Sequence, residues 1–425
     1  MFLQFIWQHR LFDEEEMEYS DGSVLKILSV GLLNRDAGPD FFNARIQTGS
    51  VVWAGNVEIH RRSAEWHQHH HDLDPAYDNV ILHVVEKDDA PVYNSKGERV
   101  LTVQMHYDPR LKNNYEELMS TGGWSACASS FNKVNQPAFQ LWFHRLMVGR
   151  LEQKTEELTL RLKHNCNDWN ETFYQFLARN FGFKVNAVPF EMLAKAVPLR
   201  ILARHKDQLF QLEALLFGTA GLLNEELIGD PYFLNLKKEY SHLYAKYHLS
   251  AMEGHLWKFL RLRPVNFPTI RIAQFAALIH RSSALFSRLI EIRDLREVQK
   301  LFELEASAYW TTHYRFNRMS SPRMKRFGND SFHNLVINTI VPFMFVYGSC
   351  HDDQSLKELA LDYLDQLPAE NNEIIHHWKE LGVSARSAFD SQALLQLKTH
   401  YCQSLECVNC MIGSRLIQDN FPLGH

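Results

Sequence analysis

Hydrophobic and polar positions change their spacing once along this chain. Over residues 41–48 and 51–59 the spacing is that of strands, and Gly49-Ser50 between them signals a two-residue hairpin. Val57 and Ile59 alternate with Asn56, Glu58 and His60, so the two sets face opposite sides of a sheet. The β-branched run Val80, Ile81, Val84, Val85 predicts a strand over 79–85, and 99–105 predicts a fourth. Residues 2–10 carry a short helical pattern, and 62–71 predict a helical turn around Trp66. From Gln136 onward apolar residues recur every three to four positions, over 137–163, 169–181, 189–217, 231–248, 270–308, 331–346, 355–366 and 386–399. That period predicts helices. Asp230-Pro231 and the stretch from Arg263-Pro264 to Pro268 interrupt the series. The expected fold class is α+β: a small mixed-sheet domain over 1–121, then a large all-helical domain over 122–425, with the boundary near Thr121-Gly122-Gly123. No internal repeat is present.

Composition sharpens this picture. With 425 residues, 45% hydrophobic and 12% aromatic, the chain can build sizeable cores, which excludes disordered, collagen-like and disulfide-stapled classes. The apolar run 335–347 is interrupted by Asn338 and Pro342 and is too short to cross a bilayer, so no membrane partner is expected. The first residues lack a basic start and turn acidic at Asp13, unlike a signal peptide. Six cysteines without such a signal point to a reducing, cytoplasmic setting with free or metal-bound thiols. The net charge of −5 hides an asymmetry: residues 1–120 hold 11 basic and 20 acidic side chains (net −9), and 258–327 hold 14 and 5 (net +9). That division predicts an acidic site for cations and a basic surface for an anionic polymer. Nothing in it bears on oligomeric state.

The chemistry concentrates in three places. Gly38-Pro39-Asp40 opens one strand, and Glu58-Ile59-His60 lies on the next, with Glu58 and His60 on one face. If these strands pair, Asp40 approaches both, and two adjoining carboxylates call for a cation such as Mg²⁺ or Mn²⁺. The run Trp66-His67-Gln68-His69-His70-His71-Asp72, with His83 in the following strand, has a density of imidazoles that favours transition metals. His69, His71 and His83 are its candidate ligands, beside Asp40 and Glu58. Near the end, His400, Cys402, Cys407 and Cys410 suit a structural Zn²⁺ or an iron–sulfur cluster, with a further ligand available from Cys127, Cys166 or Cys350. Arg263, Arg271, Arg315, Arg318, Lys325 and Arg326 lie among aromatic residues and are candidates for nucleic-acid binding. Phosphate-cradling glycine loops, the dinucleotide glycine fingerprint and the hydrolase nucleophile elbow are all missing from the sequence.

The order helix, strand, strand with Gly-Pro-Asp40, strand with Glu58-x-His60, helical turn, strand resembles the PD-(D/E)xK nuclease core over residues 1–105. That resemblance implies metal-binding acids at Asp40 and Glu58, with His60 standing where the family usually has lysine. The runs DAGPDF, GNVEIH, DPAYDNVILHVV and RPVNFP also resemble a bacterial family of uncharacterised proteins, which implies no activity. Three functions are therefore weighed. One is a divalent-metal-dependent phosphodiesterase acting on nucleic acid, with Asp40, Glu58 and His60 catalytic and His83 in support. Another is an inactive nuclease-like module that binds nucleic acid or protein. The third is a zinc hydrolase of a small molecule built on Glu58, His60, His69 and His71.

Overall fold

The computed structural model describes residues 1–14, 17, 25–120, 122–128, 136–223, 229–282 and 284–418; Thr121 of the expected boundary lies outside them. The chain forms two compact units, Met1–Trp142 with Gln396–His425, and Phe143–Leu395. The segment carrying Cys402, Cys407 and Cys410, expected to close the helical domain, thus belongs to the unit that holds the sheet.

That first unit begins with helix α1 (Phe2–Gln8), which buries Leu3, Phe5, Ile6 and Trp7. Strands β1 (Leu25–Ser29), β2 (Leu32–Leu33), β3 (Phe41–Thr48), β4 (Val51–Arg62), β5 (Val80–Lys87) and β6 (Thr102–Gln104) follow. They form one mixed sheet in the order β1-β3-β4-β5-β6, with β2 paired to β3. The β1, β3 and β4 pairings are antiparallel, whereas β5 runs parallel to β4 and β6 parallel to β5. Thr48 pairs with Val51 across the Gly49-Ser50 turn, where Gly49 takes the positive φ of 58°. Gly55 is required for another reason: a Cβ there would lie 2.4 Å from Ile81 Cγ2 and 2.7 Å from the Asn79 carbonyl, so only glycine lets β5 approach.

A parallel pair needs a crossover, and here the crossover is compact. It contains helix α2 (Glu65–Gln68) and a 3₁₀ turn, Pro75–Tyr77, in which the Ala76 N–H donates to the Asp74 carboxylate at 2.9 Å. The fully buried Trp66 anchors it in a cluster with Tyr77, Val80, Val92 and Val100. Ser63, also fully buried, accepts the N–H groups of Asp89 and Ala90 at 2.7 Å and ties the crossover's start to the end of β5. Val57, Leu82 and Val84 are fully buried on one face of the sheet. Each contributes about 1.5–3 kcal/mol by leaving water. The opposite face carries Glu58, His60 and His83. Helix α3 (Pro109–Ser120) follows the sheet.

The second unit is mainly helical. Two long periodic stretches break into shorter helices: 189–217 into Phe183–Ala196, Leu199–Ala203 and Leu209–Thr219, and 270–308 into Pro268–Arg281, Leu285–Glu291 and Leu295–Leu301. The aromatic stretch after Ser307 is a 3₁₀ turn, Ala308–Thr311, followed by a small antiparallel hairpin of His313–Arg315 and Arg318–Met319. Among the described residues no helix is long and apolar enough to cross a membrane.

Candidate metal centre

The parallel register of β4 and β5 sets the centre of the site. Glu58 pairs with His83 and His60 with Val85, so Glu58, His60 and His83 share a face. All three are buried, at 6%, 6% and 0% exposure. The tight turn after α2 brings the remaining imidazoles over them. His70 takes a φ of 61°, and the His71 N–H returns to the Trp66 carbonyl at 3.1 Å. His71 thereby becomes buried against Tyr77, with ring centroids 3.7 Å apart, and lies parallel to His60 at 5.4 Å. His69 stays exposed at the mouth.

The polar atoms converge. His60 Nε2 lies 3.1 Å from His69 Nδ1 and 3.5 Å from Glu58 Oε1. The same Glu58 oxygen lies 3.5 Å from His71 Nε2. Ligand atoms of His60, His69 and His71 all fall within 4.8 Å of one another. Donors bound to one ion at about 2.1 Å in a tetrahedron sit about 3.4 Å apart, which matches the 3.1–3.5 Å separations. Among the described residues the buried His71 Nε2 has no hydrogen-bond partner, an expensive state for a polar atom unless something else meets it.

Behind the ring of His60 runs a hydrogen-bond chain. His60 Nδ1 is 2.9 Å from His83 Nε2, and His83 Nδ1 is 3.4 Å from Thr102 Oγ1, which in turn faces the Val100 carbonyl at 3.4 Å. If Thr102 donates to Val100, its oxygen accepts from His83 Nδ1–H, His83 Nε2 accepts from His60 Nδ1–H, and His60 Nε2 is left with its lone pair aimed at Glu58 and His69. This is the tautomer that a ligand requires, held by the outer partners that metal-binding histidines commonly use. Burial, with His69 and His71 adding to it, pulls His60 down to about 3. Burial and the neighbouring His60 and His71 pull His83 down to about 2. Both rings are neutral at physiological pH.

Asp40 does meet Glu58, by a different route from a shared ion. The Asp40 N–H donates to Glu58 Oε2 at 3.0 Å. Its own carboxylate accepts from Gln4 Nε2 at 2.6 Å and from the Ile59 N–H at 3.0 Å. Burial, then the nearby Glu58 charge, raises Asp40 to about 6. The loop that presents it is organised by Asn34, whose Nδ2 reaches the carbonyls of Asp36 (3.1 Å) and Pro39 (3.0 Å), with Gly38 at a φ of 106°. Asp40 and His83, both expected among the ligands, thus stand behind Glu58 and His60 respectively. His67 turns outward to Asp72 (3.2 Å) and the Pro91 carbonyl (3.1 Å). Gln4, Tyr77 and Thr102 complete the surroundings; no sequence signal marked them, because each acts only through the fold's register.

The basic residues fare differently. Arg271 is buried, not a surface cation: it donates to Asn266 Oδ1 (2.7 Å), Gln274 Oε1 (3.0 Å) and Ser331 Oγ (2.9 Å) and lies over the rings of Phe183 and Phe327. Lys325 is buried too, with its ammonium on the carbonyls of Thr311 (2.8 Å) and Arg323 (2.9 Å). Both were expected to contact nucleic acid and both are buried instead, with most of their N–H groups taken by the protein's own acceptors; Arg271 Nε has no hydrogen-bond partner among the described residues. Arg315 is half-buried over Phe259 and Phe267, and Arg326 pairs with Glu305 at 2.8 Å. Arg263 and Arg318 are exposed. His400 is exposed in the π-helical turn Leu397–Cys402.

A family model described as "Protein of unknown function (DUF2851)" matches residues 1–373. The chain belongs to the DUF2851 family. It matches none of the curated proteins and none of the solved structures compared with it. The DUF2851 match includes the whole sheet and every residue of the Glu58–His71 cluster, and ends before Cys402, Cys407 and Cys410.

Proposed function

We propose that this chain is a divalent-metal-dependent hydrolase of phosphodiesters, with Glu58, His60 and His71 holding the metal and His69 closing the ligand group at the exposed side. One observation carries the reading: His71 Nε2, buried and without a hydrogen-bond partner among the described residues, and His60 Nε2 both lie 3.5 Å from a single oxygen of Glu58. Three imidazoles and one carboxylate suit Zn²⁺ or Mn²⁺ better than Mg²⁺, which prefers oxygen. Such an ion supplies a water of lowered pKa and neutralises charge on a phosphoryl oxygen. The chain's own contribution is placement. Asp40 fixes Glu58 through its N–H, His83 and Thr102 fix the tautomer of His60, and Tyr77 and Trp66 hold the ring of His71.

What supports phosphodiesters as the substrate class is the element order: a helix, antiparallel strands bearing Asp40 and Glu58, a crossover, and a parallel strand, the order from which the nuclease-core resemblance was read. A cavity of about 1110 Å³ lies beside the sheet, lined by Trp53, Asn79, Ile81, Arg99 and Thr102 among others; Glu58, His60, His69 and His71 do not line it. A second reading, a binding module without turnover, is favoured by His60 itself. Its ring nitrogen points into the ligand group, so it brings no ammonium to the reacting phosphate.

The test uses the full chain, stripped with chelator and reloaded with Zn²⁺, Mn²⁺ or Mg²⁺. It is offered a small chromogenic phosphodiester and single- and double-stranded DNA and RNA. Cleavage with Mn²⁺ or Zn²⁺ that is lost in Glu58→Gln supports the proposal. Cleavage of the small ester alone assigns a small-molecule hydrolase. Metal bound at the site with no turnover on any substrate assigns the binding module.

A further inference from the structure

The helical unit holds a cavity of its own, of about 350 Å³. Its walls come from the helices Trp169–Phe181, Leu199–Ala203, Pro268–Arg281 and Leu285–Glu291. Two stripes build most of it. On Trp169–Phe181 the lining positions are Asn170, Phe173, Tyr174 and Leu177, the spacing of residues that share one helix face. On Pro268–Arg281 they are Phe275, Leu278 and Ile279, and that stripe ends at the C-cap residue, Ser282. Ala284 takes a left-handed φ of 50° and starts the next helix, which brings Leu285 and Phe286 to a third wall.

In its depth the cavity is apolar. Phe173, Tyr174, Leu177, Phe275 and Leu278 are all buried. The one hydroxyl among them is engaged elsewhere, since Tyr174 donates to the Val197 carbonyl at 2.8 Å. Stiff rings hold the walls apart: Tyr174 stacks on Phe275 with centroids 5.7 Å apart, and Phe286 is braced by Trp169 at 5.8 Å and Phe173 at 5.4 Å. Packed cores leave few voids larger than a water molecule, and an apolar void gives water too few hydrogen bonds to stay. The rim is polar. Asn170 is exposed, and Lys206 and Ser282 are half-buried. Among the described residues that line the cavity, Lys206 is the only charged one. Its carbonyl accepts from His280 Nδ1 at 2.5 Å, which fixes the backbone at that end.

We propose that this cavity binds an aliphatic monocarboxylate, with its chain inward and its carboxylate at Lys206, Asn170 and Ser282. The size of the chain follows from the volume. An apolar cavity of about 150 Å³ is enough for benzene, so this one holds a chain of about ten to fourteen carbons. The head group follows from the charge. One cation in an otherwise uncharged lining complements a single negative charge, and the Asn170 amide and the Ser282 hydroxyl add donors for the same oxygens. The site is built wholly within the helical unit and stands whatever the histidine cluster does.

The experiment titrates decanoate, below its micelle concentration, into the full chain by calorimetry, with decan-1-ol, decylammonium and butanoate as comparisons. Wild type, Lys206→Gln and Ala203→Trp are measured. The expected result is one decanoate per chain, bound more tightly than the other three compounds. Lys206→Gln should weaken decanoate about 5-fold, the worth of a partly exposed ion pair, and leave decan-1-ol unchanged. Ala203 is an exposed lining residue, and tryptophan there should plug the mouth and abolish binding of both. Should Ala203→Trp fail to fold, photo-crosslinking of wild type decides: decanoate with a diazirine at its far end is expected to label residues 173–177 or 275–279. No saturable uptake of decanoate, equal affinity for decanoate and decan-1-ol, an unchanged affinity in Lys206→Gln, or labelling confined to other segments would overturn the proposal.

Discussion

Two stretches of this chain concentrate one kind of polar side chain, and their side chains end up in different states. Between Glu58 and His83 the imidazoles converge, and among the described residues the buried His71 Nε2 has no hydrogen-bond partner. Between Lys258 and Arg326 the cations disperse into the protein's own structure. Arg271 satisfies three side-chain acceptors, Lys325 two carbonyls, Arg326 a carboxylate, and Arg315 covers two aromatic rings. Similar density along the chain therefore carries opposite meanings. A cluster points to a ligand when the fold gathers its donor atoms around one point, as it does for His60, His69 and His71. It points to architecture when the fold spends them internally.

The strongest way to break this contrast is to remove a gathered atom. Glu58→Gln or His71→Ala should cost metal affinity well beyond the roughly 10–100-fold expected of an outer-shell partner, measured by calorimetric titration of Zn²⁺ or Mn²⁺ into the stripped chain. Equal affinity in wild type and His71→Ala would mean that the cluster is not a site.

In the basic stretch the loss should appear as stability instead. Arg271→Ala strands Asn266, Gln274 and Ser331 and is expected to destabilise the chain by about 3 kcal/mol, read as a lower denaturant midpoint. Arg318→Ala, at an exposed position, should stay within about 0.5 kcal/mol. A reversed order would place Arg271 on a working surface after all.

The outer partners sharpen the comparison. Thr102→Val removes the hydroxyl that fixes His83 and should weaken metal binding by roughly 10–100-fold with folding intact. An unchanged affinity would show that the tautomer is set elsewhere.

The stripped chain should also show a pH dependence of stability. His60 and His83 titrate near 6.5 when unfolded and near 3 and 2 when folded, so below 6.5 the unfolded state binds more protons and stability falls with falling pH. Asp40 works the other way between its ordinary 3.8 and its folded value of about 6. The net over that interval is one proton, about 1.4 kcal/mol per pH unit, with stability declining toward acid. Urea midpoints that rise as pH drops from 6 to 4 would show that these rings are not buried and neutral.

Much of this was legible before any coordinates. Alternation around Glu58 and His60 fixed their common face, and Gly-Pro before Asp40 and the turn at Gly49 fixed the pairing that brings Asp40 to Glu58. The element order includes a strand before Asp40, but sequence gives β1 and β2 no bounds because Leu25–Ser29 and Leu32–Leu33 are short and lie beside a charged segment. β4 runs on to Arg62, which places His60 inside the strand instead of at its end. The role of His83 depends on the parallel register with β4, and that of His71 on the left-handed residue His70; local spacing encodes neither. Helical spacing likewise does not distinguish the buried face that takes Arg271 from an exposed one.

The most direct measurement is anomalous diffraction from crystals of the full chain soaked in Mn²⁺ or Zn²⁺. One peak is expected about 2.0–2.2 Å from Glu58 Oε1, His60 Nε2 and His71 Nε2, with His83 and Asp40 behind their partners. The contradicting result is no peak there, with His71 Nε2 hydrogen-bonded to the protein or to water.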